Sequence, residues 1–413
     1  MEKGSAPQIP FECVTGVKRV KDESEVLEHS SELDRIGPRI SDKAAYFPEN
    51  IPGAPCTDIV YSFALLNDTS NSFEPADPYL AFDKNFYKRV TALSENGYRV
   101  ILSAGGWNES KSKYSKMMAD ENLRYALAQQ TANFIVENNF CGFDFDLEYP
   151  GAYQGEVDSR YADDKVNFVA FLWELRLAFN QKQEEFPDMC RLSLSIAVSA
   201  NERIVDAGYD VPRIVEVCDW IGVMTYDFFV HSDGFTGFVS PFQSVPEITG
   251  PKKKFNVIDG MNLWLERGAP AEKLIVGFPA YGQAYLLDDA NRHYYGAPAT
   301  GKPTPGKYTA SSGTLAFYEI IDNVNEMNYN VVHNPYLETY SYKGLDWVSY
   351  DDTLDAAIKA EYIKEICFRG AMFWSLDNEC FQENCPGGSY PLIWTVHNIL
   401  HGKKTVDDVR NIT

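Results

Sequence analysis

GFDFDLEYP, residues 142–150, sets three carboxylates, Asp144, Asp146 and Glu148, at alternate positions and closes on Tyr149-Pro150, where proline ends a strand. Strand side chains alternate between faces, so the acids share one side and Phe143, Phe145 and Leu147 take the other. The interleaved apolar residues speak against a solvated acidic edge strand. Like charges at this spacing cannot all ionise cheaply, so at least one acid holds a proton near neutral pH, as a general acid must.

Outward from this stretch, apolar runs recur at 59–66, 98–107, 140–148, 192–199, 220–228, 274–281 and 370–376, with helical patterns between them. In one such helix Phe168, Phe171, Leu172, Leu175 and Phe179 repeat at three- and four-residue spacing. Runs alternating with amphipathic helices predict a parallel sheet with crossover helices, and seven are visible of the eight that a closed barrel requires. The first strand is left to 11–17 or 43–47. From 286 to 345 the rhythm stops and Gly, Pro, Tyr and Asn become frequent. The expected organisation is an N-terminal extension (1–42), a barrel (43–285 and 345–405) interrupted by an insertion (286–344), and a tail (406–413). Residues 296–302 match the start of a phosphate-binding loop, but Pro303 stands at the Ser/Thr position and no buried strand precedes it.

Composition narrows the partners. With 37 Lys+Arg against 59 Asp+Glu the net charge is −22, which argues against nucleic acid and anionic membranes. A neutral polysaccharide is compatible with it. No apolar run reaches membrane-helix length, and the opening residues MEKGSAPQIP lack the apolar core of a signal peptide. His397 and His401 lie four apart without a third ligand, so no metal and no cofactor are expected.

The acidic stretch resembles the fourth-strand signature of glycoside hydrolase family 18, the chitinases and chitinase-like lectins, D-G-x-D-x-D-x-E-Y-P. Cys141 stands at the first Asp and Leu147 where Trp is usual. Ser103-Ala104-Gly105-Gly106 resembles the family's S-x-G-G, Met224-Thr225-Tyr226-Asp227 its M-x-Y-D, and Trp374 the tryptophan ending strand eight. The segment 296–320 resembles the small α+β domain inserted between strands seven and eight. The resemblance implies an α/β fold, a TIM (β/α)8 barrel with that insertion. It also implies retaining hydrolysis of β-1,4-linked N-acetylglucosamine polymers, with Glu148 as acid, Asp146 and Asp144 as its carboxylate partners, and Tyr226 bonding the acetamido group. Trp374, Trp107, Asp227, Met224, Tyr149, Phe63 and Tyr281 are the implied substrate-binding residues. Chitin or its oligosaccharides would be the partner of a monomeric, extracellular protein. Two departures bear on substrate handling: Ser232 replaces a Trp in the loop after strand six, and Gln283 an Arg after strand seven. A lectin on the same scaffold and an endo-β-N-acetylglucosaminidase remain open alternatives. The family also implies a bridge from a first-strand Cys, for which Cys13 is the candidate, to Cys56. Cys380 and Cys385 are close enough to close a local loop, while Cys141, Cys190, Cys218 and Cys367 are expected as buried thiols.

Overall fold

The computed structural model describes residues 11–16, 44–153, 155–246, 248–334 and 338–411. Seven strands follow one another, each parallel to its neighbour: β1 (Phe11–Gly16), β2 (Asp58–Asn67), β3 (Arg99–Gly105), β4 (Gly142–Asp146), β5 (Ser193–Ser199), β6 (Trp220–Met224) and β7 (Leu274–Pro279). An antiparallel sheet then intervenes, built from β8 (Tyr281–Leu286), β9 (Thr314–Ala316), β10 (Asn330–Asn334), β11 (Glu338–Lys343) and β12 (Asp346–Tyr350), in the order β9-β8-β12-β11-β10. The chain returns as β13 (Gly370–Trp374), which pairs with both β7 and β1 and closes the barrel. Of the two first-strand candidates, the earlier one is therefore the strand; residues 44–47 instead lead into a short helical turn, Pro48–Gly53. The inserted sheet starts directly after β7 and runs to Tyr350, beyond 286–344 at both ends.

The alternation in β4 sorts its residues between two cores. Phe143 and Phe145 are fully buried against the helix layer, where Phe145 meets Phe168 and Phe171 at centroid distances of 5.6 and 5.4 Å. This is the apolar stripe of helix Asp164–Glu185 read above. Asp144 and Asp146 point the other way, into a bore filled by Val60, Ile101, Trp220, Ile275 and Met372.

Two cysteine expectations are corrected. Cys141 and Cys190 form a disulfide, because β4 and β5 are parallel neighbours with Gly142 beside Ser193, which brings the residues preceding each strand to a Cα separation of 5.5 Å. Cys367 is exposed, not buried, at the end of helix Thr353–Ile366; Cys218 is a buried thiol as expected. Cys380 and Cys385 are bridged. Cys56 is disulfide-bonded, while the side chain of its expected partner Cys13 lies outside the described residues.

Candidate active site

In a parallel barrel the carboxyl ends of the strands converge on one mouth. Asp144 sits deepest, flanked by the two neighbouring strands: Ser103 Oγ of β3 and Ser195 Oγ of β5 donate to its two oxygens at 2.9 and 2.7 Å. Burial pushes its carboxyl up, and the two serine hydroxyls oppose the shift. Asp146 lies one step nearer the mouth. Burial, then the adjacent carboxylates of Glu148 and Asp144, raise its pKa well above the carboxylate range, against the pull of the Lys111 ammonium. Its Oδ1 is buried without a hydrogen-bond partner, next to a cavity of about 20 Å³ lined by Ser103, Met224, Tyr226, Met372 and Trp374. That is room for about one water.

The regular strand ends at Asp146, and Glu148 stands just beyond it on the rim, half-buried. Its carboxyl is pushed up to about 7, by burial first and also by the Asp227 carboxylate. The Tyr149 hydroxyl, the Lys111 ammonium and the Trp107 N–H hold it from rising further. Glu148 therefore carries a proton over part of the neutral range, and its titration is tied to that of the adjacent buried Asp146, for which it is the largest charged neighbour.

The β3 glycines explain how the acids are held. Gly105 lies beside Asp146 in register and has φ +116°. A Cβ there would stand 2.1 Å from the Asp146 carbonyl oxygen, so only glycine permits this approach. The Gly106 N–H then donates to that same oxygen at 2.7 Å.

On the far side, β6 delivers Met224, Tyr226 and Asp227. Burial and the Asp146 carboxylate raise the Tyr226 phenol well above its usual value, which keeps it a neutral donor. Asp227 takes left-handed backbone (φ 55°) and accepts from Tyr281 Oη at 2.8 Å and Gln283 Nε2 at 2.7 Å. The inserted sheet thus reaches the site through β8. Because Gln283 is neutral, it fixes the Asp227 carboxylate without cancelling its charge. The floor is aromatic: Trp374 at the end of β13 stacks on Phe63, centroids 5.5 Å apart and planes 29° apart. Trp107, half exposed, stands 6.5 Å from Tyr149. All eleven residues expected at a site are gathered at this end of the barrel or lead into it.

Two contributors escaped the sequence reading. Ser195 sits two positions from Ser193 in an apolar strand, and that alternation was the available signal. Lys111 is a buried lysine in a KSK run that reads as a solvated helix start.

The molecule is thus a (β/α)8 barrel with a row of carboxylates at the end of its fourth strand and an aromatic floor beneath them. It belongs to the glycosyl hydrolases family 18, whose model matches residues 35–379. The chain is 37% identical over 358 residues to Probable chitinase 10 of Drosophila melanogaster, covering 86% of this chain and 15% of that protein. It is 34% identical to the Endochitinase of Manduca sexta, covering 85% of this chain and 63% of the relative. Among solved structures it is similar to catalytic domain 2 of the Ostrinia furnacalis Group II chitinase, with a TM-score of 0.83, 35% identity, and 88% and 94% of the two chains covered. A mutant of that domain is known in complex with penta-N-acetylchitooctaose. The chain therefore spans a small part of the fly relative and under two thirds of the moth one.

Proposed function

We propose that the protein is a chitinase that cleaves β-1,4 bonds of chitin or chitooligosaccharides with retention of configuration, the substrate supplying its own nucleophile. Glu148 protonates the departing glycosidic oxygen. The carbonyl oxygen of the 2-acetamido group attacks the anomeric carbon as that bond breaks, giving an oxazolinium ion. Asp146 accepts the acetamido N–H through its unpartnered Oδ1 and stabilises the developing positive charge, an electrostatic role worth about 10²–10³ in rate. Asp144 shares a proton with Asp146 and thereby sets the charge on it. Tyr226 donates to the acetamido oxygen and orients it. Glu148, now ionised, takes a proton from the water that opens the ring.

Trp374 and Phe63 floor the subsite of the reacting sugar, with Met224 beneath it. Trp107, Tyr149, Asp227 and Tyr281 contact the chain along the mouth. The observation that carries the proposal is the pairing of a rim carboxyl poised at about 7 with a deeper aspartate whose Oδ1 is buried and unpartnered. The departures in the acidic stretch lie away from this chemistry: Leu147 packs in the core and Cys141 is held in a disulfide before the strand begins. An oxidising, extracellular setting suits the disulfides, and a monomer is the working form; among the described residues no helix is long and apolar enough to cross a membrane.

The test is the anomeric form of the first product released from chitin hexamer, followed by proton NMR. Initial release of the β-anomer is expected. Initial α-anomer would mean direct attack by water and would overturn the mechanism.

A further inference from the structure

We propose that Lys111 is a positioning residue for Glu148, acting through the main chain of Trp107. Lys111 opens the helix Lys111–Ala119 and is only 8% exposed. Lysine is almost never buried to that extent without a reason, since its long stem readily carries the ammonium out to water. Its neighbour Lys113 takes the Glu109 carboxylate, and Tyr114 and the Leu66 N–H also bond Glu109, which ties this loop to the end of β2. Lys111 instead donates to the Trp107 carbonyl and sits 4.9 Å from the centre of the Trp107 ring.

Trp107 is thus held by its carbonyl and its ring, its indole stands 6.5 Å from the ring of Tyr149, the residue after Glu148, and its N–H favours the ionised form of the Glu148 carboxyl. One residue earlier, the Gly106 N–H holds the Asp146 carbonyl. One loop thus lies against the rim acid and holds the strand end behind it, and the Lys111 ammonium is the cation bonded to that loop. Around Glu148 the other charged or titratable groups are Asp144 and Asp146 from β4, Tyr149 beside it, Tyr226 and Asp227 after β6, Tyr209 from the helical segment before β6, and Tyr281 from β8. Lys111 is the cation among these groups, and its charge favours the ionised form of both Glu148 and Asp146. Nothing in this role requires contact with substrate.

The inference rests on Glu148 being the acid. The test compares Lys111→Met and Lys111→Arg with wild type in kcat, KM and the pH profile of kcat/KM on chitin hexamer, with Glu148→Gln alongside. Losing the cation raises the Glu148 pKa, so Lys111→Met should move the alkaline limb up by about one pH unit. It should also lower kcat at pH 6 by about tenfold, part of the ~10² that an ångström of misplacement costs, with KM held within about twofold. Lys111→Arg keeps charge and donor and should restore both. A variant that loses only packing would lower activity without moving the limb. If Lys111→Met does not fold, Lys111→Gln carries the same test of charge. A limb at the wild-type pH in the neutral variant, or an Arg variant no better than Met, overturns the inference. An active Glu148→Gln variant would instead overturn the assignment of the acid, whatever the lysine variants do.

Discussion

Gly105→Ala is the sharpest perturbation of how the acids are held. An ordinary carbon–oxygen contact is about 3.3 Å, whereas the new Cβ would stand 2.1 Å from the Asp146 carbonyl oxygen. Strands β3 and β4 must part by more than about 1 Å at the Gly105–Asp146 step of their register. The backbone at φ +116° adds strain of about 1–3 kcal/mol for any residue with a side chain. Stretching the 2.7 Å bond from the Gly106 N–H loses about 1 kcal/mol more. The expected destabilisation is roughly 2–4 kcal/mol. Displacing Asp146 by an ångström should cost about 10²-fold in kcat. Thermal melting and initial rates on chitin hexamer read the two effects separately. Gly97→Ala is the control: its φ is +90° but nothing lies within 4 Å of the added Cβ, so it should lose stability through backbone strain alone and keep wild-type kcat. A Gly105→Ala protein with wild-type Tm and kcat would refute the reasoning.

Three further outcomes follow from the site and its supports. As the proposed general acid Glu148 acts in its protonated form, so kcat/KM should be full below its pKa of about 7 and fall as pH rises through it; because that carboxyl titrates higher in the folded protein than in the unfolded chain, wild type binds the extra proton and loses stability as pH rises toward 7. Glu148→Gln should accordingly melt higher than wild type at pH 8, the gap closing toward pH 5, as measured by calorimetry across that range. Ser232→Trp, at an exposed position, should supply a stacking face on the leaving-group side and lower KM for hexamer about two- to tenfold at unchanged kcat; an unaltered KM would mean that the loop lies outside the substrate's path. Replacing Cys141 and Cys190 together by Ala should cost about 2–4 kcal/mol in denaturant unfolding while leaving kcat intact, since the bridge closes a 49-residue separation at the end of β4 remote from the acids.

Much of the site was legible because it depends on period and chain order. The alternation in 142–148 placed Asp144 and Asp146 on one face and Phe143 and Phe145 on the other, and the S-x-G-G resemblance singled out Gly105 and Gly106. What escaped depends on tertiary neighbours. The Cys141–Cys190 bridge becomes visible only once β4 and β5 are known to be adjacent, because a sequence separation of 49 carries no sign of it. Lys111 reads as one solvated cation among several until the loop folds its ammonium under Trp107. The first strand was ambiguous for another reason: at six residues with Glu12 and Thr15 inside it, Phe11–Gly16 has too little apolar signal, and pairing with β2 and β13 makes it a strand. Glu148 was read as the end of a strand, yet the ladder stops at Asp146, leaving the acid on the rim where a glycosidic oxygen could reach it.

The central claim is tested most directly by the rate of chitin hexamer cleavage by wild type and Glu148→Gln, with hexamer affinity measured for both. Removing a general acid should lower turnover by roughly 10²–10⁴-fold while affinity stays within a few-fold. Full activity in the variant, or binding without cleavage by either protein, would contradict the account.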